Sequence, residues 1–115
     1  MESSILITIK KLLGIDDSIT SFDEDILVHI NTAIMALRQI GIGPKEGFVV
    51  NGDHNTWNEL VSSDKFEAVK TYIYLRVRIV FDPPTSGTLM EAFKNSLAEY
   101  EWRLSVSADP EDSIV

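Results

Sequence analysis

Apolar residues recur at helical steps in several separate stretches of the chain. Between Phe66 and Phe81, Val69, Ile73, Val77 and Val80 fall three and four residues apart, and Ala68, Tyr72, Leu75 and Ile79 form a second row beside them. Two adjacent stripes predict a helix buried on more than one side. Asp64 with Glu67 reads as a capping box at its start. Asp82-Pro83-Pro84 reads as its end, because prolines lack the backbone N–H and push the preceding residue out of the helical region. After the Thr85-Ser86-Gly87 turn, Thr88 with Glu91 repeats the capping pattern. Leu89, Phe93, Leu97, Tyr100 and Leu104 then predict the seam of a second helix that folds back on the first.

The earlier chain carries two more such patterns. Ser4 or Ser3 can cap a short helix in which Ile5, Ile9, Leu12 and Leu13 share a face, closed by Gly14, with Lys10 and Lys11 in the last turn where cations suit the helix dipole. Ser21 or Asp23 caps a longer helix with the stripe Ile26, Ile30, Ala33, Ile34 and Leu37, and Phe22 is placed to staple onto Ile26. Asp23, Glu24 and Asp25 in its first turn are explained by the dipole rather than by a metal.

From Gly41 to Thr56 the helical pattern stops. Four glycines, the patch Phe48-Val49-Val50 and an Asn51-Gly52 turn signal predict a long loop, with a short strand or hairpin left open. Thr56 with Glu59 marks a short helix that lays Trp57 over the bundle. The expected fold is therefore all-α, a small bundle of about four main helices plus a short helix and a long, partly β loop. Residues 1–104 form one helical domain. Residues 105–115, polar and acidic with few apolar side chains, are expected as a flexible tail.

Composition narrows the function classes. At 115 residues there is room for one core. The absence of cysteine excludes disulfides and thiolate metal sites. The most apolar run, Tyr72 to Phe81, is broken by Arg76 and Arg78, and the N-terminus has no export-signal pattern, so a soluble, unexported chain is expected. With 18 acidic against 10 basic residues the net charge is −8, which disfavours adhesion to DNA or to anionic membrane.

No pattern in the chain carries catalysis. His29 and His54 have no metal-ligand spacing, Asp53-His54-Asn55 lacks the later positions of a calcium loop, and no phosphate-cradling or nucleophile motif occurs. Asp16-Asp17, Glu99 with Glu101, and Glu111-Asp112 read as solvated acids. No enzyme activity, metal or cofactor is expected. Lys65, Lys70, Arg76, Arg78 and Arg103 scatter around the helices and are expected to pair with acids such as Glu67 and Glu99 rather than to form a nucleic-acid stripe. Trp102 is different: it lies opposite the Leu97, Tyr100, Leu104 seam, which marks it for a protein interface. Trp102, Arg103, Glu99 and Arg78 are the residues expected at that oligomer or partner interface. Trp57, Asp82, Pro83 and Pro84 are expected to be structural.

One order of elements is specific enough to carry a resemblance. A helix closing in Gly41-Ile42-Gly43, a loop with Phe48 and a Thr56-Trp57 start, then Tyr72-Ile73-Tyr74-Leu75-Arg76-Val77-Arg78 running into Phe81-Asp82-Pro83-Pro84, and finally Glu99-Tyr100-Glu101-Trp102-Arg103-Leu104, resembles the head-tail connector (adaptor) proteins of tailed double-stranded DNA phages and prophages. The resemblance implies a structural, non-catalytic subunit of the virion, assembled in the host cytoplasm as a ring of roughly a dozen copies. It implies contact with the portal protein and with a downstream stopper or tail-completion protein. DNA would pass through the channel without specific binding, and no membrane would be involved. A small acidic regulatory or inhibitor-like module, using residues 41–61 to hold a partner, is the alternative.

Overall fold

The structure, a computed structural model, describes residues 3–114, with side chains described through Ala108. Five helices follow in order: α1 (Ile5–Leu12), α2 (Asp23–Gln39), α3 (Trp57–Leu60), α4 (Phe66–Phe81) and α5 (Gly87–Ile114). α4 is the centre, packed against α1, α2 and α5, and α1 also rests on α2. The core joins Ile5 and Ile9 of α1, Ile26, Ile30, Ile34 and Leu37 of α2, Val69, Tyr72, Ile73 and Val77 of α4, Trp57, and Leu104 of α5.

The helix ends show why these segments stop where they do. Ser4 caps α1, its hydroxyl accepting from Ile7 N–H at 3.2 Å. Both α1 and α2 close with a glycine in the left-handed region, Gly14 at φ 82° and Gly41 at φ 93°. In each, the two residues past the cap donate back to the last turn: Ile15 N–H to Lys10 O at 2.9 Å, and Ile42 N–H to Leu37 O at 2.9 Å. α4 ends at Phe81, ahead of the prolines.

Several expected caps are displaced. α2 has Phe22 at its N-cap with no side-chain bond, so neither Ser21 nor Asp23 caps it, and Phe22 packs edge-on to Phe81 at 5.7 Å. α4 starts at Phe66 behind Lys65; Asp64 lies one residue too early and takes the Ser62 hydroxyl instead. α5 starts at Gly87, and it is Ser86 whose hydroxyl accepts from Leu89 N–H, at 3.3 Å, leaving Thr88 inside the helix. Of the three expected capping boxes, only that of Thr56 and Glu59 forms, with Thr56 N–H donating to Glu59 Oε1 at 2.8 Å.

The long loop holds no strand among the described residues. Ser4 and Thr56 form an isolated antiparallel bridge, tying the start of α1 to the start of α3. Val50 is buried, and the Asn31 side chain on α2 takes the place of a neighbouring strand: Val50 N–H donates to Asn31 Oδ1 at 2.8 Å, and Asn31 Nδ2 donates to Val50 O at 3.0 Å. Trp57 is fully buried, its ring edge-on to Phe66 at 5.5 Å and its Nε1–H donating to Thr8 Oγ1 at 3.1 Å. α5 runs past Leu104 without a break. Ala108 packs on the core, and a Cβ on Gly41 would stand 3.1 Å from the Ala108 methyl. The acids of the expected tail, Asp109, Glu111 and Asp112, lie outside the described side chains.

Candidate functional site

The α5 seam is buried mainly at its far end. Leu104 is buried, Leu97 and Tyr100 are half-buried, and Leu89 at the near end is exposed. The first turns of α5 therefore lie only loosely on the body. Their attachment is made by Arg78, whose Nε donates to Asp82 O at 2.7 Å, whose Nη1 donates to Tyr74 Oη at 3.0 Å, and whose guanidinium lies 5.5 Å from the Phe93 ring. Pro83 is exposed and Pro84 half-buried in the turn that Arg78 braces.

A second tie joins the middle of α5 to α4. Tyr72 Oη donates to Glu101 Oε2 at 2.7 Å, and Arg76 Nη1 donates to Tyr72 Oη at 3.1 Å. Burial, and then the hydrogen bond to Glu101, push the Tyr72 phenol up to about 12, since both penalise the phenolate. Glu101 is thus an interhelix partner, whereas its sequence pattern suggests only a solvated acid.

The outward side of α5 is where the expected interface residues gather. Trp102 is 66% exposed and Val106, four residues on, 45%. Arg103 Nη2 holds Glu99 Oε2 at 2.6 Å beside them. Glu99, Trp102 and Arg103 thus share one helix surface, while Arg78 belongs to the turn. The other scattered cations pair within the chain as expected, Lys70 with Glu67 at 3.0 Å and Arg76 with Glu101 at 3.6 Å.

Two features of α2 are missing from the sequence reading. Val28 and Met35 are 61% and 63% exposed, on the side opposite the buried stripe of Ile26, Ile30, Ala33 and Leu37. Near the helix end, Arg38, Lys45 and Lys65 line a cavity of about 370 Å³ together with Gly41, Gly43, Leu60, Ser62 and Ala108, and no acid is among the described lining residues. The Gly41-to-Gly43 turn was the only signal in the sequence that the chain doubles back there. Among the described residues no group of side chains is arranged to hold a metal ion, and none of the described helices is long and apolar enough to cross a membrane.

A family model described as phage connector protein matches residues 5–111, which spans all five helices apart from the last residues of α5. The chain belongs to that family. Comparison with curated proteins and with solved structures gives no match. A head-tail connector is a structural component of the phage particle. In this connector the most exposed large apolar side chains are Trp102 on α5, Val49 in the long loop, Met35 and Val28 on α2, and Val80 on α4.

Proposed function

We propose that this connector subunit assembles side by side with copies of itself into a closed ring of roughly a dozen, a head-to-tail arrangement that closes when the rotation between neighbours permits. In this reading the ring forms in the host cytoplasm, sits beneath the portal protein, meets a stopper or tail-completion protein on its other side, and surrounds the channel that DNA traverses. The observation that carries the contact is Trp102, 66% exposed on the face of α5 turned away from the core. An indole left in water on a rigid helix is the kind of anchor around which protein interfaces form. Glu99 and Arg103 flank it, and Arg78 serves by fixing the turn that aims α5.

The acidic end of the chain, within residues 105–115, is the second proposed contact, ordered against a neighbour or the portal. A net charge of −8 per copy suits a channel through which DNA phosphates slide without adhering. The role requires no catalytic group, no cofactor and no membrane.

Electron microscopy of the purified protein, with and without portal particles, tests the proposal. Rings seated on the portal are expected. A chain that remains single in both samples overturns it.

A further inference from the structure

The Asn51-Gly52 pair lies in the long loop, outside the contacts assigned above to the ring. Asn51 is exposed and follows directly on Val50, which the Asn31 side chain clamps from α2. Its backbone N–H donates to Asn55 Oδ1 at 3.1 Å, but among the described residues neither its side-chain amide nor the Gly52 N–H enters a hydrogen bond. An amide carbon and the backbone nitrogen that follows it are thus both unengaged.

The other asparagines of the chain are occupied. Asn31 spends both ends of its amide on Val50, Asn55 Oδ1 accepts from Asn51, Asn58 Oδ1 accepts from the Thr56 hydroxyl at 2.7 Å, and Asn95 lies within α5. None of them precedes a glycine. A residue with a Cβ resists the folded-back backbone that brings its nitrogen onto the preceding side chain, whereas glycine turns that way without a steric cost. Gly52 also has a neighbour suited to the chemistry. A Cβ built on it would stand 3.1 Å from His54 Nδ1 and 3.3 Å from His54 Cε1, so the imidazole lies against the glycine. A group able to take a proton therefore stands beside the residue whose N–H would lose one.

We infer that Asn51 is a site of self-modification, where the side-chain amide is lost to attack by the Gly52 nitrogen with His54 as the proton acceptor. The Gly52 nitrogen forms a bond to Asn51 Cγ, the Cγ–Nδ2 bond breaks, and the proton taken from Gly52 leaves with the side-chain nitrogen as ammonia. Water then opens the cyclic imide that remains. Opening at Cγ leaves an ordinary aspartate; opening at the backbone carbonyl leaves an isoaspartate, whose main chain is longer by a methylene. Nothing is oxidised or reduced, and either product adds a negative charge. The extra methylene falls between two anchors, Val50 clamped by Asn31 and Asn55 O, which accepts from Ile5 N–H at 3.0 Å. Amide exchange at Val50 is therefore expected to be faster in the isoaspartate form.

Ageing the purified full-length protein in warm, mildly alkaline buffer tests this, with peptide mass mapping to locate the lost amide and isoaspartate-specific enzymatic methylation to count the longer product. Conversion is expected at Asn51, with ammonia released in step. Gly52→Ala should suppress it over the same incubation. Gly52 is outside the left-handed region and His54 is exposed and able to move aside, so circular dichroism should show that variant folded as the wild type. His54→Ala and His54→Gln should both convert more slowly, the glutamine filling the space of the imidazole without supplying a base. A folded chain that keeps the Asn51 amide, or that loses the amide of another asparagine first, would overturn the site. Wild-type rates in Gly52→Ala would overturn the attack by the Gly52 nitrogen, and wild-type rates in both His54 variants would overturn the part given to the imidazole.

Discussion

The Lys10 ammonium, on a side chain 2% exposed, stands 2.9 Å from Asp23 Oδ1 and donates to Ile19 O at 2.6 Å and to Asp17 O at 3.3 Å. It pins the connection between α1 and α2 from inside. Asp23 Oδ1 has no hydrogen bond of good angle, so the nearby ammonium charge is what compensates its burial. Removing the lysine leaves that carboxylate and two carbonyls facing each other. Lys10→Ala is expected to cost about 2–4 kcal/mol in urea unfolding, below the cost of breaking a fully buried pair because Asp23 is partly exposed. The double variant Lys10→Met, Asp23→Leu should recover much of the loss, because it removes both charges together.

Asn31 stands in for a strand. Replacing it with Leu strands the Val50 N–H and C=O without partners, at an expected cost of about 1–3 kcal/mol. Amide hydrogen exchange at Val50 should speed up through local opening, while exchange within α4 should rise only by as much as the global loss of stability allows.

The Tyr72 phenol gives a pH signature. Its value in the folded chain, about 12, lies above the ordinary 10.0, so the folded state binds the proton more tightly than the unfolded state. That contribution to stability is fully present below pH 10 and is lost as pH rises from 10 through about 12. Ultraviolet titration should show one of the three tyrosines ionising late. Tyr72→Phe should abolish the late step and weaken the alkaline dependence of stability.

The two halves of α5 should respond differently to truncation. Leu104→Ala removes a buried side chain and is expected to cost about 2–5 kcal/mol. Leu97, half-buried, should cost no more than about 1–2 kcal/mol on the same substitution, because water already reaches part of it. Thermal unfolding of the pair checks the ranking.

Periodicity gave away the helices of this chain, since Ile26 to Leu37 and Val69 to Val77 bury as their spacing requires. The Phe81-Asp82-Pro83-Pro84 stop was equally legible, because a proline acts on its own backbone and needs no distant partner. Caps were less so. Asp64 and Thr88 fit the capping pattern, yet Asp64 takes the Ser62 hydroxyl instead of capping α4, and Ser86 caps α5 in place of Thr88. What could not be read were partnerships across long separations: Asn31 with Val50, Thr8 with Trp57, Tyr72 with Glu101. Each is a polar side chain whose purpose appears only when another element arrives beside it. Lys10 shows the same limit, for a lysine in a last turn suits the helix dipole whether or not it is buried. The exposure of Trp102 is legible because the residue breaks the seam pattern, whereas the exposure of Val28 and Met35 is not, because single exposed apolar residues are ordinary.

Gly41 ends α2 with a backbone that side chains rarely adopt, and its bare Cα lies directly under the Ala108 methyl. A side chain at 41 must both strain its own backbone and lift the end of α5, and a bulkier residue at 108 presses on the same spot from above. Drift at either site is therefore answerable to the other, although 66 intervening residues separate them in the sequence. The exit from α2 and the Ala108 turn of α5 meet in one contact, so added bulk at either position is felt at both.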